Sequence, residues 1–173
     1  MRKNFKYALS EVLKSEGGYS DHPRDPGGAT MKGITLITYN NFSNGGKTKA
    51  DLREITDKEI HDIYLAGYWA KCHCDYLPAG VDFTVFDACV NSGVVRATRW
   101  LQQVVDVKID GLFGPKTLSA VNSFTPCEII SVMCYIRLQF LRELKTWDDF
   151  GKGWGRRVLR VKAESLKMGG NND

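Results

Sequence analysis

Four polar side chains near the start of the chain have the types and the spacing that acid–base chemistry requires. Glu16, Asp21 and Asp25 lie around a Pro-Gly turn, and Thr30 follows it. Hydrolysis of a glycosidic bond needs a protonated carboxyl group that donates to the leaving oxygen. It also needs an ionised carboxylate that positions water or stabilises positive charge. Paired carboxylates are common in solvated loops, so the spacing alone leaves a catalytic role and a surface role open.

The pattern before Glu16 predicts the element that positions it. Glu16 extends an apolar stripe with helical spacing, which consists of Phe5, Leu9, Val12 and Leu13. Gly17 predicts that the helix ends there, because glycine readily adopts the left-handed conformation of a helix C-cap. Burial and the negative end of the helix dipole both disfavour an ionised carboxylate at that place, which suits a proton donor. A frayed surface glutamate at a helix end fits the same pattern.

The other polar residues of the set surround a predicted turn. In Asp25-Pro26-Gly27-Gly28, proline fixes φ at the second position and glycine supplies positive φ at the third. Residues 29–35 have the length of one arm of a short hairpin, although Gly33 weakens a strand there. We therefore expect little β structure.

Helical patterns dominate the rest of the chain. Thr56 with Glu59 forms a capping box that predicts a helix beginning at Asp57, and Thr125 with Glu128 forms a second one. The helices predicted after residue 56 are 57–69, 83–91, 94–105, a short one beginning at 115, 126–144 and 154–167.

The composition is that of an ordinary folded protein. The chain has 173 residues, of which 43% are hydrophobic and 25% are charged. Its apolar runs are too short for a signal peptide or a membrane span. These features exclude disordered and collagen-like chains, and they predict synthesis in the cytoplasm without stable membrane insertion.

Cysteine and histidine patterns give no metal or cofactor site. Five cysteines are an odd number, so at least one must be unpaired in a monomer, as expected of a protein made in a reducing compartment. Cys72-His73-Cys74 has poor spacing for zinc and no second ligand pair. The chain has no Walker loop and no GxGxxG, HExxH or GxSxG motif. We therefore expect no metal and no cofactor, and neither a metalloprotease nor a serine hydrolase.

Positive charge is concentrated at the end of the chain. Residues 137–173 carry 9 Lys/Arg and 5 Asp/Glu, whereas residues 1–136 carry 15 of each, so the net charge of +4 comes from the last part. A polyanion is one possible partner for this segment, and a helix with a solvated basic face is the simpler alternative. No nucleic-acid-binding motif accompanies the charge, so we expect no nucleic-acid partner.

The same residues carry a resemblance to a known family. The segments 16–19 (EGGY), 25–30 (DPGGAT) and 33–35 (GIT) resemble the signature of glycoside hydrolase family 108, which comprises phage-endolysin-like N-acetylmuramidases and secretion activators. Segments 68–69, 77–81, 86–87 and 90–93 continue the match. Asp110-Gly111, Gly114-Pro115 and segment 150–157 are similar to the family's second half, a predicted peptidoglycan-binding region. The resemblance therefore covers nearly the whole chain.

This resemblance implies a fold and a set of catalytic residues. The fold is mainly α and lysozyme-like, with a small β-hairpin beside the active-site cleft. Residues 1–78 form the catalytic region and 79–173 the helical peptidoglycan-binding region, packed as one compact unit. Glu16 is the catalytic acid, and Asp25 and Thr30 lie beside the attacking water.

The function implied is cleavage of the β-1,4 bond between N-acetylmuramic acid and N-acetylglucosamine in peptidoglycan. A non-catalytic wall-binding or secretion-accessory protein with the same fold is the alternative. We expect Tyr19, Asn91, Trp69 and Trp154 to bind substrate; Asn91 is alternatively a helix cap, and both tryptophans are alternatively core residues. The partner is peptidoglycan, the protein is a monomer, and it reaches the periplasm through a holin lesion or an exporter.

The basic end has a role under this interpretation. Lys152, Arg156, Arg157, Arg160 and Lys162 surround Trp154. They would attract the carboxylates of the wall, unless some of these arginines pair with acids such as Glu143 or Asp149 and serve only to fix the last helix.

Overall fold

A computed structural model describes residues 2–21 and 28–170 of the chain. Within these ranges the structure is mainly helical, with one two-stranded antiparallel sheet. The elements in chain order are α1 (Arg2–Leu13), β1 (Thr30–Met31), β2 (Ile34–Thr35), α2 (Leu36–Ser43), α3 (Lys49–Arg53), α4 (Asp57–Tyr64), a π-helical turn (Leu65–Trp69), a 3₁₀ turn (Cys74–Tyr76), α5 (Val81–Ser92), α6 (Val94–Val104), α7 (Pro115–Val121), α8 (Pro126–Arg142) and α9 (Trp147–Gly170). The predicted mainly α fold class with a small hairpin is confirmed.

Internal contacts divide the chain into two units. The hairpin unit is Leu9–Gly67, and the helical unit is Met1–Ala8 with Tyr68–Asp173. The family resemblance implies a boundary between the two regions after residue 78, whereas the division by internal contacts follows residue 67. Trp69 accounts for the difference, because it is fully buried and its ring lies 5.2 Å from that of Phe5 and 5.4 Å from that of Phe86 in the helical unit.

The hairpin unit is built from short, well-capped pieces. Thr30 pairs with Thr35 and Met31 with Ile34 in an antiparallel register. The two residues between the strands, Lys32 and Gly33, have φ values of 47° and 77°, as a tight hairpin turn of the primed type requires. The predicted capping box that begins α4 is confirmed, and the widened turn Leu65–Trp69 continues this helix.

The helical unit is organised around α5. Every side chain from Val81 to Cys89 is buried, and α5 packs against α6, α8 and α9. The second predicted capping box is confirmed at the start of α8, where Pro126 occupies the first helical turn. A helix surrounded by other helices must bury residues all around its axis, which is why α5 lacks a polar stripe.

Two predicted helix limits are wrong, for different reasons. The first helix ends at Leu13 and does not reach Glu16. The last helix begins at Trp147 and not at 154, and it includes five glycines, which disfavour helix locally. At Gly151 a side chain would clash with the ring of Trp147. Packing therefore requires glycine at this position, although glycine has a low helix propensity.

Cys72 and Cys89 form a disulfide within the helical unit, and among the described residues Cys127 and Cys134 have free thiols. The expectation of at least one unpaired cysteine is confirmed, but the sequence analysis gave no sign of this pair. The cysteine at 89 lies inside α5, and no spacing rule links it to 72.

Over the described ranges, no single helix is long and apolar enough to cross a membrane. The pair α7 and α8 reaches the required length and composition only together, and it is bent by 112° at the break.

Candidate active site

Glu16 follows α1 after a tightened turn. The N–H of Ser15 donates to the Val12 carbonyl at 2.9 Å, and the N–H of Glu16 donates to the Leu13 carbonyl at 3.3 Å. These bonds span three residues rather than four, as is common where a helix terminates. Glu16 is therefore half-buried in the chain beyond the helix, and not on its last turn as predicted.

The carboxyl group of Glu16 lies against the turn of the hairpin. A Cβ atom added to Gly33 would lie 2.8 Å from Glu16 Oε2 and 2.6 Å from the Tyr64 hydroxyl oxygen. No real Cβ fits so close to these two oxygens. Gly33 thus serves two purposes: its φ of 77° forms the turn, and its missing side chain leaves room for the carboxyl group.

Two hydrogen bonds fix this turn in place. The Lys32 N–H donates to the Gly17 carbonyl at 3.1 Å, which ties the hairpin to the segment that carries Glu16. The Tyr64 hydroxyl donates to the Lys32 carbonyl at 2.8 Å. Tyr64 comes from α4 and is almost fully buried, so the carboxyl group is bounded by rigid elements. A carboxyl group held in this way keeps one position for proton transfer.

Sequence reasoning missed Tyr64. The signal was available, because Tyr64 follows Ile60 by four residues and so lies on the buried face of α4. A buried tyrosine usually needs a hydrogen-bond partner for its hydroxyl, and such a residue near a proposed acid is a candidate site residue.

Thr30 lies in β1 of the same hairpin. Its backbone exchanges hydrogen bonds with Ser20 at 2.8 and 2.9 Å, and its hydroxyl donates to the Gly28 carbonyl at 3.1 Å. Glu16, Thr30 and the turn are thus part of one hydrogen-bonded unit. Asp25 and the predicted turn 25–27 lie outside the described residues.

Tyr19 is held by charged neighbours. The guanidinium of Arg53 lies 4.2 Å from the centre of its ring, and its hydroxyl donates to Asp21 at 3.3 Å. Asp21 also pairs with Lys49 at 3.0 Å, and this hydrogen bond lowers the pKa of Asp21. A groove of about 450 Å³ lies next to this pair, with Ile37 in its wall. Tyr19 as a substrate-binding residue stays a prediction.

Trp69 is a core residue and not a sugar-binding one. It has no exposed surface, and its indole N–H donates to Asp75 at 2.9 Å. A ring without exposed surface cannot stack on a sugar, so the predicted contact with substrate is corrected to a structural role in the helical unit.

Trp154 is partly exposed in the same unit. Its ring centre lies 5.7 Å from that of Phe150 and 6.4 Å from that of Trp147. Phe150 is largely exposed, so these rings form an aromatic surface at the start of α9. Sugar binding by Trp154 stays a prediction.

Asn91 contacts a buried charge. Its side-chain oxygen accepts a hydrogen bond from Arg137 at 3.1 Å. The alternative role as a helix cap is wrong, because Gly93 ends α5 and donates its N–H to the Cys89 carbonyl. Whether the half-buried Asn91 also contacts substrate stays a prediction.

Arg137 belongs to a cluster of buried charges that the sequence analysis missed. Asp87 is completely buried and accepts hydrogen bonds from Arg137 at 2.6 Å and from Arg157 at 2.9 Å. Burial alone would raise the pKa of Asp87, but the two positive charges outweigh it and hold this pKa below its ordinary value. The Arg157 side chain is only 10% exposed, so it is paired inside the protein and is not the wall-facing cation that was predicted.

Comparisons with known proteins match two family models, which meet between residues 93 and 94. Residues 9–93 match the family model described as Glycosyl hydrolase 108, and residues 94–159 match the model described as Predicted Peptidoglycan domain. The solved structure titled "Structure of Brucella abortus SagA" is similar over 99% of both chains, with 42% sequence identity and a TM-score of 0.90. None of the curated proteins matches the sequence.

Proposed function

The chain belongs to the glycosyl hydrolase 108 family, and from this membership we propose that it is an N-acetylmuramidase. It would hydrolyse the β-1,4 bond between N-acetylmuramic acid and N-acetylglucosamine in peptidoglycan. The match to a predicted peptidoglycan domain supports this choice of polymer.

The observation that carries the proposal is the placement of the Glu16 carboxyl group against Gly33 and Tyr64. Glu16 would act as general acid and donate its proton to the glycosidic oxygen as the bond to the anomeric carbon breaks. Its role needs a fixed position next to the scissile bond. The Lys32 and Tyr64 hydrogen bonds, which fix the hairpin turn beside Glu16, support this role.

Thr30 and Asp25 would complete the reaction. We propose that they orient the water that attacks the anomeric carbon or stabilise the positive charge that develops there. Thr30 is fixed by its pairing with Ser20, which supports a positioning role for its hydroxyl.

The test is analysis of peptidoglycan digested with the purified protein. Mass spectrometry should detect new reducing N-acetylmuramic acid ends, and a folded Glu16→Gln protein should produce none above background. Anhydro ends would instead identify a lytic transglycosylase. New ends from Glu16→Gln at the native rate would overturn the assignment of the acid.

A second candidate function is a non-catalytic peptidoglycan-binding or secretion-accessory protein with this fold. The match of residues 94–159 favours it, because that region accounts for binding without cleavage. Binding of intact sacculi without any new ends would identify this function.

We also propose where and in what form the protein acts. It would work as a monomer at the cell wall, after release through a holin lesion or an exporter. Sedimentation equilibrium would test the monomer, and lysis by the protein with and without a co-expressed holin would test the route.

A further inference from the structure

Two grooves of the helical unit meet at the start of α6. One has a volume of about 600 Å³ and the other of about 540 Å³. Both are lined by Val94 and Val95, so together they form one continuous surface, which we call the α6 surface.

The α6 surface is positively charged. Lys71 lines the first groove, and Arg96 and Arg99 line the second, while no acidic residue is among the described residues that line either groove. The guanidinium of Arg96 lies 4.5 Å from the centre of the Phe140 ring, which fixes its direction. The first turn of α6 has no acidic residue and no capping side chain.

A rigid loop forms the apolar part of this surface. Gln102 is buried, and its amide group donates to Asp110 at 2.9 Å and to the Leu112 carbonyl at 3.0 Å. Its oxygen accepts from the Gly111 N–H at 2.8 Å. Gly111 approaches so closely that a Cβ there would lie 2.8 Å from Val95 Cγ1. The loop is therefore fixed through its backbone, without help from the Leu112 side chain.

The side chains that this loop presents are apolar. Leu112 is 73% exposed and Ile109 is 51% exposed. Phe113 stacks on His73 with ring centres 4.8 Å apart and an interplanar angle of 16°. Large apolar side chains held outward by a buried polar network indicate a binding surface, because their exposure is unfavourable without a ligand.

We propose that the α6 surface binds the disaccharide-peptide unit of peptidoglycan. The carboxylates of the stem peptide pair with Arg96, Arg99 and Lys71, and the acetyl and lactyl methyl groups contact Val95 and Leu112. Only a ligand that combines anionic and apolar groups satisfies both parts of the surface. The choice of peptidoglycan rests on the proposed function, and the positions of the contacts rest on the grooves and the loop.

The experiment measures binding of a soluble disaccharide-tetrapeptide to the full chain by calorimetry. The probe has N-acetylglucosamine at its non-reducing end, so its only glycosidic bond is at C1 of N-acetylglucosamine. The proposed activity breaks the bond at C1 of N-acetylmuramic acid, so binding of this probe is separated from hydrolysis. The test variant is Arg96→Glu with Arg99→Glu, and the matched control is Arg142→Glu with Lys145→Glu. All four residues are exposed, and both variants change the net charge equally.

We expect the test variant to lose at least about tenfold in affinity and the control to lose less than about twofold. Leu112→Ser should lose about threefold in affinity for the probe. This variant tests the proposal if the double variant does not fold. Chitotetraose, which has no carboxylate, should bind the test and control charge variants alike.

Equal affinities in all variants, or equal losses in the test and control variants, would overturn the proposal. So would a dimer that Leu112→Ser dissociates while binding of the probe is unchanged, because the surface would then contact a second copy. Formation of reducing ends from sacculi is measured separately. If the probe binds as expected but sacculi are not cleaved, the muramidase is refuted and the α6 surface is retained. If sacculi are cleaved but the variants bind the probe like the native protein, the α6 surface is refuted and the muramidase is retained.

Discussion

Each of the two units contains a carboxyl group, and the two groups differ in their exposure and in their neighbours. In the hairpin unit, Glu16 is half-buried, and its oxygen lies close to a glycine and a tyrosine hydroxyl. In the helical unit, Asp87 has no exposed surface and is bound by two guanidinium groups. A proton donor must be reachable and able to change its charge, whereas a buried ion must keep its charge compensated. The surroundings of Glu16 thus suit the proposed proton transfer, whereas those of Asp87 suit a structural role.

The largest effect is expected from breaking the structural carboxylate. Asp87→Asn leaves the buried charges of Arg137 and Arg157 without their counterion, so the free energy of unfolding should fall by about 3–5 kcal/mol. Chemical denaturation measures this free energy of unfolding. The control Glu143→Gln changes an exposed acid and should stay within about 0.5 kcal/mol of the native value. Equal stability of both variants would mean that the cluster contributes nothing to the fold.

The second effect concerns Glu16, the proposed general acid. Glu16→Gln keeps the shape but removes the proton, so the rate of release of reducing ends should fall at least about a hundredfold while the melting temperature hardly changes. Glu54→Gln, an exposed change in the same unit, should retain the rate. A large loss of stability in Glu16→Gln would contradict the contrast between the two carboxyl groups.

Gly33→Ala should lower the same rate by about tenfold, because the added methyl group must displace Glu16 and Tyr64. Gly46→Ala is its matched control. The φ values are 77° and 80°, so both variants have similar backbone strain, but nothing lies within 4 Å of the added atom at Gly46. Equal rates in the two variants would show that the close approach at Gly33 does not position Glu16.

Asn91→Ala should lower the free energy of unfolding by about 1–2 kcal/mol, because Arg137 loses one hydrogen-bond acceptor. The KM on sacculi, measured on the same variant, sharpens the comparison. An increase in KM at unchanged stability would move Asn91 from the charge cluster to the substrate site.

The smallest effect is a pH dependence within the hairpin unit. Hydrogen bonds from the Tyr39 hydroxyl and from Thr56 lower the pKa of Glu59 to about 2. This carboxylate therefore stabilises the fold fully above its ordinary pKa of 4.5, and the contribution is lost as the pH falls toward about 2. Urea midpoints between these pH values should fall more steeply for the native protein than for Glu59→Gln. Parallel curves would refute this.

Local signals in the sequence predict those parts of the fold that local contacts determine. Thr56 and Thr125 predict the starts of two helices, because a capping box involves only four consecutive residues. The end of α1 was missed because the turn that carries Glu16 is bonded to the hairpin through Gly17 and Lys32. The early start of α9 was missed because Gly151 packs on Trp147.

The candidate site shows the same limit. Glu16 was found from its residue type, its spacing and the family resemblance, whereas Tyr64 depends on a fold that brings α4 to the hairpin turn. The positive charge at the end of the chain was visible in the sequence. The pairing of Arg157 with Asp87 could not be predicted from the sequence. The two residues are 70 positions apart, and nothing in the intervening residues indicates that they meet.

The order of these charges along the chain has a consequence for synthesis. Asp87 leaves the ribosome first, Arg137 follows on α8, and Arg157 comes only with α9. A nascent chain that stops before α9 lacks one of the two cations and also the helix that packs on α5 and α8. The helical unit thus completes its folding only after its last helix has been made, and chains truncated there should be removed by proteases rather than accumulate.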